Sequence, residues 1–188
     1  MRTYGIYQNT RDSAWQCLLD YGIDSLPVDV LKIARAAGFH VIKNSNVNIL
    51  SSNEHGRSYF DGNKWYIIYD DKDSTEVSRY TVAHELGHIF LNHELVHIKY
   101  SHTQQIKTTP ASEKQANQFA TRLLCPACVL WAYGLYTEED IARCCRVDGK
   151  IALERAKRMK TLVKRNKFLT SPIEKRLYYE FFEKKKDN

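Results

Sequence analysis

Chain-breaking residues are scarce: the 188 residues include only 4 Pro and 8 Gly. That scarcity excludes a collagen-like or linker-dominated polypeptide. Long apolar runs are also missing. No stretch approaches the roughly 20 residues that a membrane-crossing helix needs, so no membrane association is expected. The first residues, Met1-Arg2-Thr3-Tyr4-Gly5, contain no apolar signal core, and the expected compartment is the cytoplasm. The cysteines do not suit a disulfide framework. Cys17, Cys125, Cys128, Cys144 and Cys145 are odd in number, and reduced thiols are expected. The chain has neither an internal repeat nor a low-complexity segment.

What is present is ordinary globular material. With 43% of residues hydrophobic and 27% charged, the chain can bury a core of its own. Charge is distributed unevenly. Residues 150–188 hold 13 Lys/Arg against 5 Asp/Glu, a net of +8, and residues 1–149 hold 15 against 17, a net of −2. The expected organisation is a near-neutral domain over 1–134 and a basic helical appendage over 135–188. A basic appendage suits an acidic partner or nucleic acid, but a solvated helical surface is the favoured reading.

Apolar spacing predicts a helix over 10–21 and another from Pro27 to Ala37, with Gly38 as its left-handed stop. Phe39 to Ile42, Arg57 to Phe60 and Lys64 to Tyr69 read as strands, the last two joined by an Asp61-Gly62-Asn63 turn. A long helix is expected from about Thr75 to Asn92, then a polar, irregular stretch over 93–109. A further helix opens at Thr109-Pro110 and ends at Pro126. Short helices over about 127–133, 138–145, 149–165 and 172–184 complete an α+β fold with a small antiparallel sheet.

His84-Glu85-Leu86-Gly87-His88 lies within the long helix. Two His four residues apart sit about 40° apart around a helix and about 6 Å along it, so both imidazoles can reach one ion. The Glu between them projects beside that ion, where it can take a proton from water. The pattern recurs as His93-Glu94-Leu95-Val96-His97. In a continuous helix residue 93 would lie about 180° around from His84, so the two pairs could not share a metal. Val82, Ala83, Leu86, Ile89 and Phe90 give the first copy an apolar back face. The second falls where that periodicity fails, and it is expected to be a loop without a metal role. His40, His55 and His102 have no partner at ligand spacing.

A catalytic zinc takes three protein ligands plus water. Glu113, in the first turns of the next helix, is the candidate third ligand. It shares a helix face with Ala116, Asn117 and Ala120, and an inward carboxylate is costly unless paired or metal-bound. Asn117, one turn on, is placed to hydrogen-bond a ligand from behind, although a plain surface role fits its position equally well.

Arg79 through Leu91, then Glu113-Lys114-Gln115-Ala116-Asn117-Gln118-Phe119-Ala120 and Leu123-Leu124-Cys125-Pro126, together resemble the ImmA/IrrE family of zinc metallopeptidases. The resemblance extends to Leu26-Pro27-Val28-Asp29 and Gly38-Phe39-His40-Val41 and covers roughly residues 15–130. It implies a compact zincin-like core, one zinc ion per chain on His84, His88 and Glu113, and Glu85 as the catalytic residue. Cys125 stands where the family has Met, a change in packing rather than in a ligand. Family members occur in bacteria and their mobile genetic elements, beside a helix-turn-helix (XRE-type) repressor that they cleave. Such a repressor is the implied protein substrate. By fold analogy alone, an extended substrate is expected along the edge of the sheet formed by 57–69.

Other motifs leave alternatives open. Cys125-Pro-Ala-Cys128 has redox spacing, and Cys144-Cys145 could complete a second zinc site. Its place at the end of a helix favours ordinary buried thiols. Thr137 through Ala152 could form a helix-turn-helix ahead of the basic Arg155, Lys157, Arg158 and Lys160, but no base-reading cluster stands out. Direct nucleic-acid binding is therefore the less favoured reading. The rival to an enzyme is a regulatory or antitoxin-like protein that holds DNA or a repressor without cutting it.

Overall fold

Residues 10–97 and 104–184 are described in a computed structural model of the chain. Helix α1, Thr10–Asp20, buries Ala14, Trp15, Cys17 and Leu18. Helix α2, Val30–Ala36, begins later than Pro27 because Asp29 is its cap, accepting the Lys32 amide at 2.9 Å. Gly38, at φ +80°, ends it as expected. Strand β1, His40–Lys43, leads into a single turn, α3, Asn44–Val47. Strands β2, Gly56–Phe60, and β3, Trp65–Tyr69, form the expected hairpin. Asp61 Oδ1 accepts the amides of Asn63 and Lys64 at 2.8 and 2.7 Å and holds its turn.

Two further strands, β4 (Leu95–His97) and β5 (Gln104–Ile106), lie in the stretch expected to be irregular. Three residues each, one of them starting Gln-Gln, are too short and too polar to show alternation. The sheet order is β1-β3-β2-β5-β4. β1 runs parallel to β3, with Val41 opposite Ile67, so the sheet is mixed rather than wholly antiparallel. β5 pairs with β2 at Tyr59 and Phe60. That corrects the expected open edge along 57–69: part of it is already occupied, and Gly56–Ser58 is the portion of β2 beyond that pairing.

Helix α4, Thr75–Phe90, starts at Ser74, whose hydroxyl accepts the Val77 amide. Helix α5, Pro110–Leu124, has a Thr109/Ser112 capping box and a proline in its first turn. Val82, Leu86, Ile89 and Phe90 of α4 meet Phe119 and Leu123 of α5 and Trp15 and Leu18 of α1 in one buried cluster. Then come α6 (Ala127–Ala132), α7 (Glu138–Cys145), α8 (Gly149–Arg165) and α9 (Pro172–Tyr178), the last continuing as a π-helical turn over Tyr179–Glu183. Their Val129, Ile141, Met159, Leu177 and Phe181 join the same cluster. Arg79 of α4 donates to the carbonyls of Val28 (2.9 Å), Cys145 and Arg146 (both 3.3 Å), tying the end of α7 to the core. Among the described residues, no helix is long and apolar enough to cross a membrane.

Gly87, between the two His, sets how closely α4 and α5 approach. A Cβ there would stand 3.2 Å from the Ala116 Cα, the Ala116 carbonyl oxygen and the Phe119 Cβ. Two of those atoms are backbone and cannot swing aside. Gly87→Ala should therefore push α5 outward, destabilise the fold by about 1–3 kcal/mol and weaken metal binding. Chemical denaturation beside a zinc competition titration reads both effects. Unchanged stability would mean that the helices can part without cost.

Candidate metal centre

The i, i+4 spacing on α4 turns His84 and His88 toward the first turns of α5, where Glu113 lies. His84 Nε2 and His88 Nε2 are 3.0 Å apart. Glu113 Oε2 is 3.3 Å from His84 Nε2, and its Oε1 is 3.4 Å from His88 Nε2. Ligands at about 2.0–2.1 Å from a tetrahedral zinc stand ~3.3 Å from one another, so the three donors are spaced as such an ion requires. Among the described residues this is the group of three whose ligand atoms converge.

The hydrogen bonds behind the triad assign the tautomers, and they point the same way. His84 Nδ1 is 3.1 Å from Asn117 Oδ1, which also accepts from the Tyr80 hydroxyl at 3.0 Å. A carbonyl oxygen can only accept, so His84 carries its proton on Nδ1 and leaves Nε2 bare. His93 Nε2 is 3.0 Å from Gln115 Oε1, and His93 Nδ1 is 2.9 Å from His88 Nδ1. With its own proton committed to Gln115, His93 accepts from His88 Nδ1, and His88 Nε2 is also left as a free lone pair. Burial is the main force holding both triad histidines neutral, pushing the His88 pKa down to about 3, with the charges of His84 and His93 adding to it. Neutral imidazoles with bare Nε2 atoms beside a carboxylate are what a divalent cation needs.

Glu85 is buried between the triad and the sheet. The Ser58 hydroxyl of β2 donates to its Oε2 at 2.7 Å. Burial pushes the Glu85 carboxyl up to about 7, against the Ser58 hydrogen bond, which lowers it. A dication in the triad would favour the ionised form. A cleft of about 380 Å³ opens here, lined by Gly56 and Ser58 of β2, Gln105 and Ile106 of β5, and the triad.

The expected residues His84, His88, Glu113, Glu85 and Asn117 thus lie together. The second His-Glu-x-x-His segment differs from its expected form. α4 stops at Phe90, and Asn92, in the left-handed region at φ +58°, reverses the chain. A loop without a metal role is the expected form: residues 93–94 are irregular, but His93 folds back onto His88 and Leu95–His97 joins the sheet. The side chain of His97, and His102, lie outside the described residues. His40 stacks on Tyr66, and His55 pairs with Asp73 at 2.8 Å. Cys125, Cys128 and Cys145 are buried free thiols. Sequence reasoning missed His93, Ser58 and Tyr80. The failing apolar periodicity and Asn92, a residue that tolerates the left-handed turn, both marked the helix end before His93, but neither showed that His93 would turn back onto His88.

His93→Ala should lower metal affinity about 10- to 100-fold, because it removes the acceptor that orients His88. A zinc competition titration checks this, with circular dichroism as the control for folding. Equal affinity would show that His88 needs no such support.

A His-Glu-x-x-His helix backed by a small sheet, with a glutamate from the following helix, defines a zincin-type metallopeptidase. The chain matches the family model described as the IrrE N-terminal-like domain of peptidase family M78 over residues 34–157. It belongs to this family, the ImmA/IrrE metallopeptidases. No curated protein matches the chain.

Proposed function

We propose that the protein is a zinc-dependent, cytoplasmic endopeptidase that cuts one specific intracellular protein, a helix-turn-helix (XRE-type) repressor of a bacterial mobile element or stress response. The observation that carries this reading is the convergence of His84, His88 and Glu113 at ligand spacing, with Glu85 buried beside them. A zinc ion, when bound, supplies Lewis-acid polarisation of water and of the scissile carbonyl. Glu85 takes the proton of the attacking water and returns it to the departing amine. Asn117 and His93 hold the two imidazoles in their ligating tautomers. Ser58 fixes the Glu85 carboxylate toward the cleft. The substrate backbone runs beside Gly56–Ser58, where β2 extends beyond its pairing with β5. The 1–134 part carries this chemistry, and the 135–188 helices contribute a surface rather than catalytic groups.

The test is incubation of the zinc-loaded full chain with helix-turn-helix (XRE-type) repressors of its own organism, followed by mass spectrometry of the products. A single cut that a chelator abolishes and added zinc restores is the expected result. A repressor that binds tightly and stays intact would instead support a regulatory or antitoxin-like role.

A further inference from the structure

A solvated surface is the sequence expectation for the basic helix α8, and the structure adds where its charge points. Ala152, Arg155, Ala156 and Met159 lie along one side and seat the helix on the core. Lys157, Arg158, Lys160, Lys164 and Arg165, with Lys167 just past the Asn166 cap, are all exposed. Among the described residues, none of these six cations forms an ion pair. No Asp or Glu occurs between Arg155 and Ile173. Unpaired cations along one helix face set up a field that attracts a polyanion.

The cations form two flanks. At about 100° per residue, Lys160 and Lys164 stand roughly 130° around the helix from Arg158 and Arg165, with Lys157 and Thr161 between them. A helix is ~10–12 Å across with its side chains, and the major groove of B-form DNA is ~12 Å wide. A helix seated there meets phosphates on both sides, which two flanks of cations match. A single strand would engage one flank and would need aromatic rings for its bases. Phe168, the next aromatic residue in the chain, is already stacked on Trp131. Duplex RNA has a major groove too deep and narrow for side chains to enter. Lipid is a poor match, because the large apolar residues that α8 exposes are only Leu153 and Val163.

The first turns of α8 differ from the rest. Asp148 caps the helix, Glu138 Oε1 stands beside Gly149, and Glu154 is exposed. Acids there oppose phosphate, so the contact begins at Lys157 and not at the leading end that a helix-turn-helix sets against bases. There is no Asn or Gln from Lys157 to Arg165. With its cations turned to the flanks, this face meets phosphates rather than base edges.

We propose that the exposed face of α8 from Lys157 to Lys167 binds duplex DNA through its phosphates, with little dependence on base sequence. Lys160 and Lys164 hold one strand, and Arg158 and Arg165 hold the other. No metal ligand lies on α8, and the proposal stands whether or not the chain is a peptidase.

Fluorescence anisotropy of the full chain with labelled DNA duplexes of two unrelated sequences tests it. Both should bind saturably at low salt and with similar affinity. The logarithm of affinity should fall against that of salt concentration with a slope of about −4, about 0.9 for each of four to five phosphates. Lys160→Gln combined with Lys164→Gln should weaken binding at least tenfold and flatten the slope by about 2. Arg158→Gln combined with Arg165→Gln should do the same, and His84→Ala should bind as wild type does. All four positions are exposed, and circular dichroism checks that each variant is folded. Absence of binding at low salt, a slope near zero, or wild-type affinity in both double variants would each overturn the proposal. So would single-stranded DNA or duplex RNA held as tightly as the DNA duplex.

Discussion

Glu85→Gln should keep the metal and lose the cleavage. The amide is nearly isosteric with the carboxyl, and its carbonyl oxygen can still accept the Ser58 hydroxyl that now sits 2.7 Å from Glu85 Oε2. None of the three converging ligand atoms is touched. What disappears is the group able to take a proton from water and hand it on, a contribution of about 10²- to 10⁴-fold in rate. Folding should hold or improve, because a carboxyl that is only 8% exposed is replaced by a neutral group. Single-turnover cleavage of the repressor, measured beside metal content by mass spectrometry, separates the outcomes. Cleavage at the wild-type rate would remove Glu85 from the role of base. Loss of metal together with cleavage would recast it as a structural prop.

The second large effect falls on the metal itself. Wild-type protein should carry about one zinc per chain, and His84→Ala and Glu113→Ala should each carry almost none after dialysis. With three protein donors, removing one leaves two, too few to hold the ion against water. Glu113 contacts both imidazoles, Oε2 toward His84 and Oε1 toward His88, so its loss also removes the only negative charge among the three donors. His97→Ala should keep the full complement. Zinc that survives Glu113→Ala would locate a second site, and the Cys-x-x-Cys at Cys125 and Cys128 would be the first place to look. Zinc indifferent to both substitutions would break the enzyme reading and favour a binding protein.

Much of the metal triad was legible because its parts are local. The four-residue spacing of His84 and His88 is a property of any helix, and the apolar positions Val82, Leu86 and Ile89 show which face of α4 is buried. Glu113 was legible for a related reason: Thr109-Pro110 marks where α5 must begin, so a carboxylate just inside that start lies in a definable turn. The hairpin from β2 to β3 was equally plain, because Asp61-Gly62-Asn63 encodes its own turn.

The remainder depended on chain reversals and on short strands that carry no period of their own. Periodicity puts residue 93 on the far side of α4, and that holds only while the helix lasts. Asn92 breaks it, so His93 arrives at His88 through a contact that no spacing rule encodes. β4 and β5 are strands because partners wait for them, not because their residues alternate. Ser58 meets Glu85 across 27 positions of sequence. By itself, then, the sequence determined most of the helices and the donors placed at ligand spacing. Only the tertiary structure decided which groups stand behind those donors, because that follows from packing between segments far apart in the chain.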